Sequence, residues 1–261
     1  MNIKEIPTIV ILGPTGSGKT GIAVELARKI GGEIISADSR AVYKGMDIGT
    51  AKPTGEEMMS VPHYGLDLAR PDQRFTVADW KAYAEEKIES IKSRHKVPII
   101  VGGTGLYIDS LIYDYKFRGP TGEKVGDCEQ KTCSDRKQIK GKYLLIGIKW
   151  STPELRDRLY KRIEQMFCPE LYAEVKKLVH DYGWQCNAMK SDIYEFAWKY
   201  IQGELSLKEA KEKCFYEDWH LAKRQLTWFK RNKEIIWLEL DKICSFVIKY
   251  MQDEQNNKYS N

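Results

Sequence analysis

Thr8-Ile9-Val10-Ile11-Leu12-Gly13-Pro14-Thr15-Gly16-Ser17-Gly18-Lys19-Thr20 is the first unit of the chain that can be read as structure. Residues 8–12 are a β-branched run bounded by glycine, the pattern of a buried parallel strand. Gly13, Pro14, Thr15, Gly16, Ser17, Gly18, Lys19 and Thr20 then fit G-x-x-x-x-G-K-[ST]. The glycines let backbone N–H groups turn inward around phosphate oxygens, and the following helix aims its positive end at them. Lys19 adds a full charge, and the Thr20 hydroxyl can hold Mg²⁺. At average residue frequencies a chain of this length meets the pattern by chance about 1% of the time. The motif marks a binder of diphosphates or triphosphates and does not by itself specify a kinase.

Outward from this loop, Ile22, Leu26 and Ile30 recur at every fourth position beside Ala23 and Ala27. That is one apolar helix face, stopped by Gly31-Gly32. Glu33-Ile34-Ile35-Ser36-Ala37 is the next strand. Strand, glycine loop, helix and strand form a βαβ unit. The fold expected is therefore α/β: a P-loop NTPase-like parallel sheet flanked by helices, with a helical C-terminal part.

Composition sets the outer bounds. The chain has 261 residues, 42% hydrophobic and 30% charged, which suits one core with or without a small appendage. No stretch approaches the ~18 uncharged apolar residues of a spanning helix, so no membrane is expected. The net charge of +5 is compatible with a polyanionic partner. Met1 to Pro7 lacks the parts of a secretory signal. Six cysteines are too sparse for a disulfide scaffold, so the expected setting is a reducing cytoplasm. Cys128 and Cys133 read as a pair of loop thiols rather than a zinc site, which needs two more ligands at close spacing.

Further along, Thr76-x-x-Asp79 resembles a capping box ahead of a stripe of Val77, Trp80, Ala84, Ile88 and Ile91. Val97 to Val101 and Leu144 to Ile148 are strands. Ser151-Thr152-Pro153 opens a helix carrying Leu155, Leu159, Ile163 and Met166. A second helix runs to about Tyr182, with Gly183 as its stop. Ser206-x-x-Glu209 caps a long helix to about Arg231, and Ile235 to Leu238 is a last apolar run. Residues 114–142 hold eight basic and five acidic residues without helical or strand period, and read as a basic lid or loop. The resulting division is 1–113 for the first part of the core, 114–142 for the lid, and 143–252 for the remaining strand and C-terminal helices. Residues 253–261 are expected to be a flexible tail.

A kinase or hydrolase pairs its phosphate loop with an apolar strand ending in a metal-binding Asp. Ile99-Ile100-Val101-Gly102-Gly103-Thr104 has no carboxylate. The strand over 33–37 does end in Asp38, which places that side chain at the carboxyl edge of the sheet, where ligands bind in such folds. A carboxylate there can hold metal, take a proton from a nucleophile, or cap a turn.

The loop, Ile34-Ile35-Ser36-Ala37-Asp38-Ser39 and Val42-Tyr43-Lys44-Gly45-Met46-Asp47-Ile48-Gly49-Thr50-Ala51-Lys52-Pro53 together resemble the tRNA dimethylallyltransferases (tRNA isopentenyltransferases). So do Val61-Pro62-His63, Phe75 to Asp79, Val101-Gly102-Gly103-Thr104-Gly105-Leu106-Tyr107, Tyr200 to Ser206 and Ala222-Lys223-Arg224-Gln225-Leu226-Thr227-Trp228-Phe229. The likeness is close over 8–117 and looser over 143–238. It implies transfer of a dimethylallyl group from dimethylallyl diphosphate to N6 of adenine 37 in the tRNA anticodon stem-loop, releasing diphosphate. Lys19, Thr20 and Mg²⁺ would stabilise the departing diphosphate, and Asp38 would take the N6 proton. The base must leave its stack to reach the site. The resemblance also implies that Thr15 and Thr104 line the site and that Ser39, Arg40 and Ala41 touch RNA. The expected state is a monomer.

The chain departs from the family pattern at several places. The helical insertion usual after Gly-Gly-Thr-Gly-Leu-Tyr is replaced by the 114–142 segment, and an Asn-Asp-x-x-Arg stretch has no counterpart. A Gly-Tyr pair reads Asp192-Ile193-Tyr194, and a Thr-Arg pair aligns with Asp218-Trp219. Independently of the family, His220, Lys223, Arg224, Thr227 and Arg231 share one helix face. Such a stripe either tracks a phosphate backbone or is a solvated face. Trp219, Trp228 and Phe229 either stack on bases or belong to the core. Two rival readings stand beside the transferase: a P-loop small-molecule or nucleotide kinase, and an inactive RNA-binding relative.

Overall fold

The computed structural model describes residues 7–117 and 138–259. Its sheet contains β1 (Thr8–Leu12), β2 (Gly32–Ser36), β3 (His63–Tyr64), β4 (Val97–Gly102), β5 (Tyr143–Ile148) and β6 (Ile236–Leu238). The strands are parallel, in the order β3-β2-β4-β1-β5-β6. The phosphate-loop strand β1 is central, with Ile9 in register with Ile99 on one side and Leu144 on the other. All five of its residues are buried, as the uninterrupted β-branched run requires.

Alternation along the strands divides the core. Ile9 and Ile11 face one cluster with Ile34, Ile99 and Ile146; this side is covered by α1 (Lys19–Ile30) and α9 (Ile243–Tyr259). Between these two in the chain lie α2 (Gly55–Met58), α3 (Val77–Ser93), α4 (Gly105–Ile112), α5 (Thr152–Met166), α6 (Pro169–Tyr182), α7 (Asp192–Ile201) and α8 (Leu207–Phe229). Val10 and Leu12 face the opposite cluster, where α3 and α4 supply Trp80, Ala84, Tyr107 and Ile108. A third cluster lies within α5 to α8, around Leu159, Leu171, Tyr194 and Cys214. It is the helical C-terminal part expected from the sequence, and it stands over the carboxyl edge of the sheet.

Helix starts follow the local chemistry. Thr76 with Asp79, Ser151 with Glu154, and Ser206 with Glu209 each form a complete capping box, satisfying two orphan N–H groups per helix. Trp80, fully buried, donates from Nε1 to Ser36 O at 2.8 Å and stacks on Tyr107 at 4.8 Å. It fixes α3 to the end of β2, beside the future site.

One sequence expectation changes. Asp253 and Glu254 lie within α9, so the expected tail from 253 is instead helix as far as Tyr259. Ile243, Cys244 and Val247 dock the first turns of this helix on the α1 side of the sheet. Once a helix is nucleated by packing, polar residues extend it at little cost. The long helix α8 ends at Phe229, in line with the expected end at about Arg231. The body of the expected lid, residues 118–137 with Cys128 and Cys133, lies outside the described residues. Its flanks are tied by Asp114, which takes Lys81 and Lys116 at 2.9 Å and Lys140 at 3.1 Å. Burial pushes this carboxyl up, but the three ammonium groups outweigh it and hold it well below the usual range. Cys168, Cys186, Cys214 and Cys244 are free thiols. Among the described residues no helix is long and apolar enough to cross a membrane.

Candidate active site

β1 runs directly into the phosphate loop, and α1 leaves it. Gly16 has φ +72°, and a Cβ there would come within 2.7 Å of Leu159 Cδ2. A glycine is therefore required both by backbone conformation and by the approach of α5. Thr15 to Thr20 face a cleft of about 940 Å³, whereas Gly13 and Pro14 are buried beneath the loop. Lys19 Nζ donates to Pro14 O at 2.6 Å. Burial lowers its pKa to about 8, opposed by the Asp38 carboxylate and aided by the Arg162 guanidinium. Ser17 is fully buried and its Oγ has no partner among the described residues.

The second wall comes from the ends of β2 and β4. A Cβ on Gly102 would sit 2.1 Å from Ala37 O, so only glycine lets these strand ends touch. Ala37 N donates to Val101 O at 2.7 Å, and Thr104 N to Ala37 O at 3.2 Å. These bonds bring Asp38, Ser39 and Thr104 together. Ser39 N donates to Thr104 Oγ1 at 3.1 Å, and that hydroxyl donates to Ser39 Oγ at 3.3 Å. Asp38 Oδ1 accepts from Arg40 N at 2.8 Å and Ala41 N at 3.3 Å, while Oδ2 has no partner among the described residues. Capping a turn and facing a ligand are thus both available to one carboxylate.

The third wall is helical, and much of it escaped the sequence reading. Arg158 and Arg162 on α5 reach the loop: Arg158 Nε donates to Gly16 O at 2.9 Å, and Arg162 Nη1 donates to Thr15 Oγ1. Trp150 Nε1 donates to Ser17 O at 3.0 Å. Gln225 on α8 accepts from Thr15 N at 2.8 Å and donates to Gly103 O at 3.0 Å, joining two walls with one amide. Asp192 and Asp218 also line the cleft; burial raises both, and for Asp218 the Arg162 charge works against that rise. The available signal was the pair of arginines one helical turn apart beside the Leu155, Leu159, Ile163 stripe.

Among the residues expected to meet RNA, Ser39, Arg40, Thr104 and Arg224 line the cleft. Lys223 on α8 and Arg231 just past its end are exposed beyond the cleft wall, each 5.8 Å from an indole ring, those of Trp219 and Trp228. Ala41 is only 5% exposed and lies behind the wall. Phe229 is core, and Trp228 lines the cleft while donating to Asp109 Oδ2 at 3.0 Å. His63 is an edge-strand histidine with Nδ1 2.8 Å from Val61 O, outside the cleft. Among the described residues there is no group of three or more His, Cys, Asp or Glu that could hold a metal. The Thr20 hydroxyl lines the cleft and has no hydrogen-bond partner among them. Thr20 with Asp38 is an all-oxygen donor set suited to a hard cation that keeps waters and takes ligand phosphates, as Mg²⁺ does.

The IPP transferase family model matches residues 41–131 and 120–232. The tRNA dimethylallyltransferase of Staphylococcus haemolyticus is 38% identical, across 97% of this chain and 92% of its own length. This chain belongs to the IPP transferase family. A second IPP transferase relative, the tRNA dimethylallyltransferase of Macrococcus caseolyticus, is 34% identical across 99% of this chain and 100% of its own. Two solved tRNA isopentenylpyrophosphate transferases share the architecture. The Staphylococcus epidermidis structure has TM-score 0.80 and 34% identity, covering 96% of this chain and 99% of that one. The Bacillus halodurans structure has TM-score 0.82 and 29% identity, covering 98% of each. The IPP transferase architecture is thus shared over 96–98% of this chain.

Proposed function

We infer that this protein transfers a dimethylallyl group from dimethylallyl diphosphate to N6 of adenine 37 in the tRNA anticodon stem-loop, releasing diphosphate, and that it works as a cytoplasmic monomer. The observation that carries the reading is that Asp38, Lys19 and Thr20 line one cleft, a phosphate loop together with a carboxylate that can accept a proton. Full-length similarity to tRNA dimethylallyltransferases supports it.

In this reading the loop N–H groups and Lys19 hold the diphosphate. Thr20 would hold Mg²⁺, which when bound would supply positive charge to the departing diphosphate. Adenine N6 is a poor nucleophile because its lone pair is delocalised into the ring, so the allyl group must carry much of the positive charge as its bond to oxygen lengthens. Asp38 Oδ2 accepts a hydrogen bond from N6, then its proton. Thr104 and Ser39 fix the turn that aims Asp38. The base leaves its stack to enter the cleft. Arg40 and Arg224 meet phosphates at the rim, with Lys223 continuing along α8 and Arg231 just past its end.

The test compares an allyl donor, dimethylallyl diphosphate, with a phosphoryl donor, ATP. With tRNA lacking the modification, the protein should release diphosphate from dimethylallyl diphosphate in a tRNA-dependent manner and leave ATP intact. ATP turnover without allyl transfer would replace this reading with a kinase. Tight tRNA binding without turnover of either donor would replace it with a non-catalytic RNA binder.

A further inference from the structure

Lys19, Arg158 and Arg162 converge on residues 14–18, and none forms an ion pair with a carboxylate among the described residues. Arg158 and Arg162 are set by the packing of α5, whose Leu155, Leu159 and Ile163 are at most 2% exposed. Arg158 is held further by the Trp150 ring, 4.7 Å from its guanidinium carbon, and its Nη2 would lie 3.2 Å from a Cβ on Gly18. Arg162 Nε is buried without a hydrogen-bond partner among the described residues. A guanidinium is a rigid fork of N–H donors, so one bond apiece leaves most of both forks unused. Asp38 and Asp218 in the same cleft offset part of this gathered positive charge, and a diphosphate would offset the rest.

We propose that Arg158 and Arg162 are catalytic residues that grip the leaving diphosphate from the α5 side of the loop. The inference rests on the reading of this cleft as a diphosphate-releasing transfer site. In the step itself the C1–O bond of dimethylallyl diphosphate breaks and its electron pair stays on the diphosphate oxygen. The N6 lone pair forms the new N–C bond, and the N6 proton passes to Asp38. Negative charge therefore grows on the diphosphate as the bond lengthens. Donors fixed in advance by Leu159, Trp150 and the loop gain most at that point, so their removal slows the chemical step more than it weakens substrate binding.

The experiment uses Arg162→Gln, because Arg158 also braces Trp150 and its loss would disturb the loop. Inorganic diphosphate binding is titrated calorimetrically. Allyl transfer is followed in single turnovers at saturating dimethylallyl diphosphate and tRNA, and tRNA affinity is measured separately. Loss of one preorganised donor to a developing anion lowers rates by roughly 10²–10³-fold, and that is the expected loss here. Inorganic diphosphate should bind roughly tenfold more weakly, as for a lost charge-assisted bond, with tRNA affinity unchanged. A wild-type rate together with wild-type diphosphate affinity in Arg162→Gln would overturn the inference and leave the transfer reading standing. Wild-type protein that binds neither inorganic diphosphate nor dimethylallyl diphosphate would remove that reading and the inference with it. If circular dichroism shows Arg162→Gln unfolded, Arg162→Lys is measured instead. A folded lysine variant at least roughly tenfold slower supports the fork, since lysine keeps the charge and loses the planar pair of donors; a wild-type rate overturns it.

Discussion

At Asp38 the carboxylate divides its two oxygens between structure and chemistry. Oδ1 is occupied by two backbone N–H groups, and Oδ2 has no partner among the described residues on a side chain that lines the cleft. Asp38→Asn can keep the turn, because an amide oxygen still accepts, but it removes the proton acceptor. The expected loss in single-turnover rate is roughly 10²–10⁴-fold, with dimethylallyl diphosphate affinity unchanged. A near-normal rate would remove the base role, and a large loss of diphosphate and Mg²⁺ affinity would assign Asp38 to the metal. Lys19 gives a second test at this scale. Burial brings it to about 8 in the free protein. A bound diphosphate favours the ammonium form, so binding at pH about 8 must take up protons, and affinity must fall as pH rises through that value. Calorimetry of dimethylallyl diphosphate binding at this pH, in buffers of different ionisation enthalpy, should show uptake for wild type and none for Lys19→Ala. Equal enthalpies across buffers in the wild-type protein would contradict the assignment.

Among the elements, α8 separates what the sequence could show from what it could not. His220, Lys223, Arg224 and Thr227 were recognisable as one helix face because helical spacing is local, whereas Arg231, expected on the same face, lies past the helix end. That Gln225, on the same helix, bridges Thr15 and Gly103 was not, because those partners lie more than a hundred residues away and only packing selects them. The same holds for Arg158 and Arg162: the apolar stripe of α5 announced a buried face, but not what its flanking arginines would meet. Arg224→Ala should flatten the salt dependence of tRNA affinity, each lost phosphate contact reducing the log–log slope by about 0.9 for duplex or 0.7 for single-stranded RNA. An unchanged slope would make that stretch a solvated face. In α6, Glu174 accepts from Asp47, Ile48 and Gly49 N at 3.0, 2.8 and 3.1 Å and from Tyr194 OH at 2.5 Å. It anchors the loop whose Thr50 and Ala51 line the cleft. Glu174→Ala strands these donors and should cost about 1–3 kcal/mol in urea unfolding. A change within about 0.5 kcal/mol would show that the loop holds without it.

Over the whole molecule, the fold was legible because its centre is contiguous. Strand, loop, helix and strand occupy residues 8–37, and the buried β-branched runs at 97–101 and 144–148 supplied the neighbouring strands. The edge strand His63–Tyr64 was too short to carry a period, and the polar end of α9 had no apolar repeat to mark it as helix. Part of the cleft, the phosphate loop with Asp38, could be read because each sits at the end of a recognisable strand, while Thr104 entered through the family resemblance. The rest is tertiary: α5 and α8 bring their polar groups over the loop only after their apolar faces pack together. The most direct test of the central claim is mass spectrometry of nucleosides from unmodified tRNA incubated with this protein, dimethylallyl diphosphate and Mg²⁺. The expected result is adenosine at position 37 carrying one dimethylallyl group on N6, absent when either substrate is omitted. Unaltered adenosine from folded, diphosphate-binding protein would contradict it.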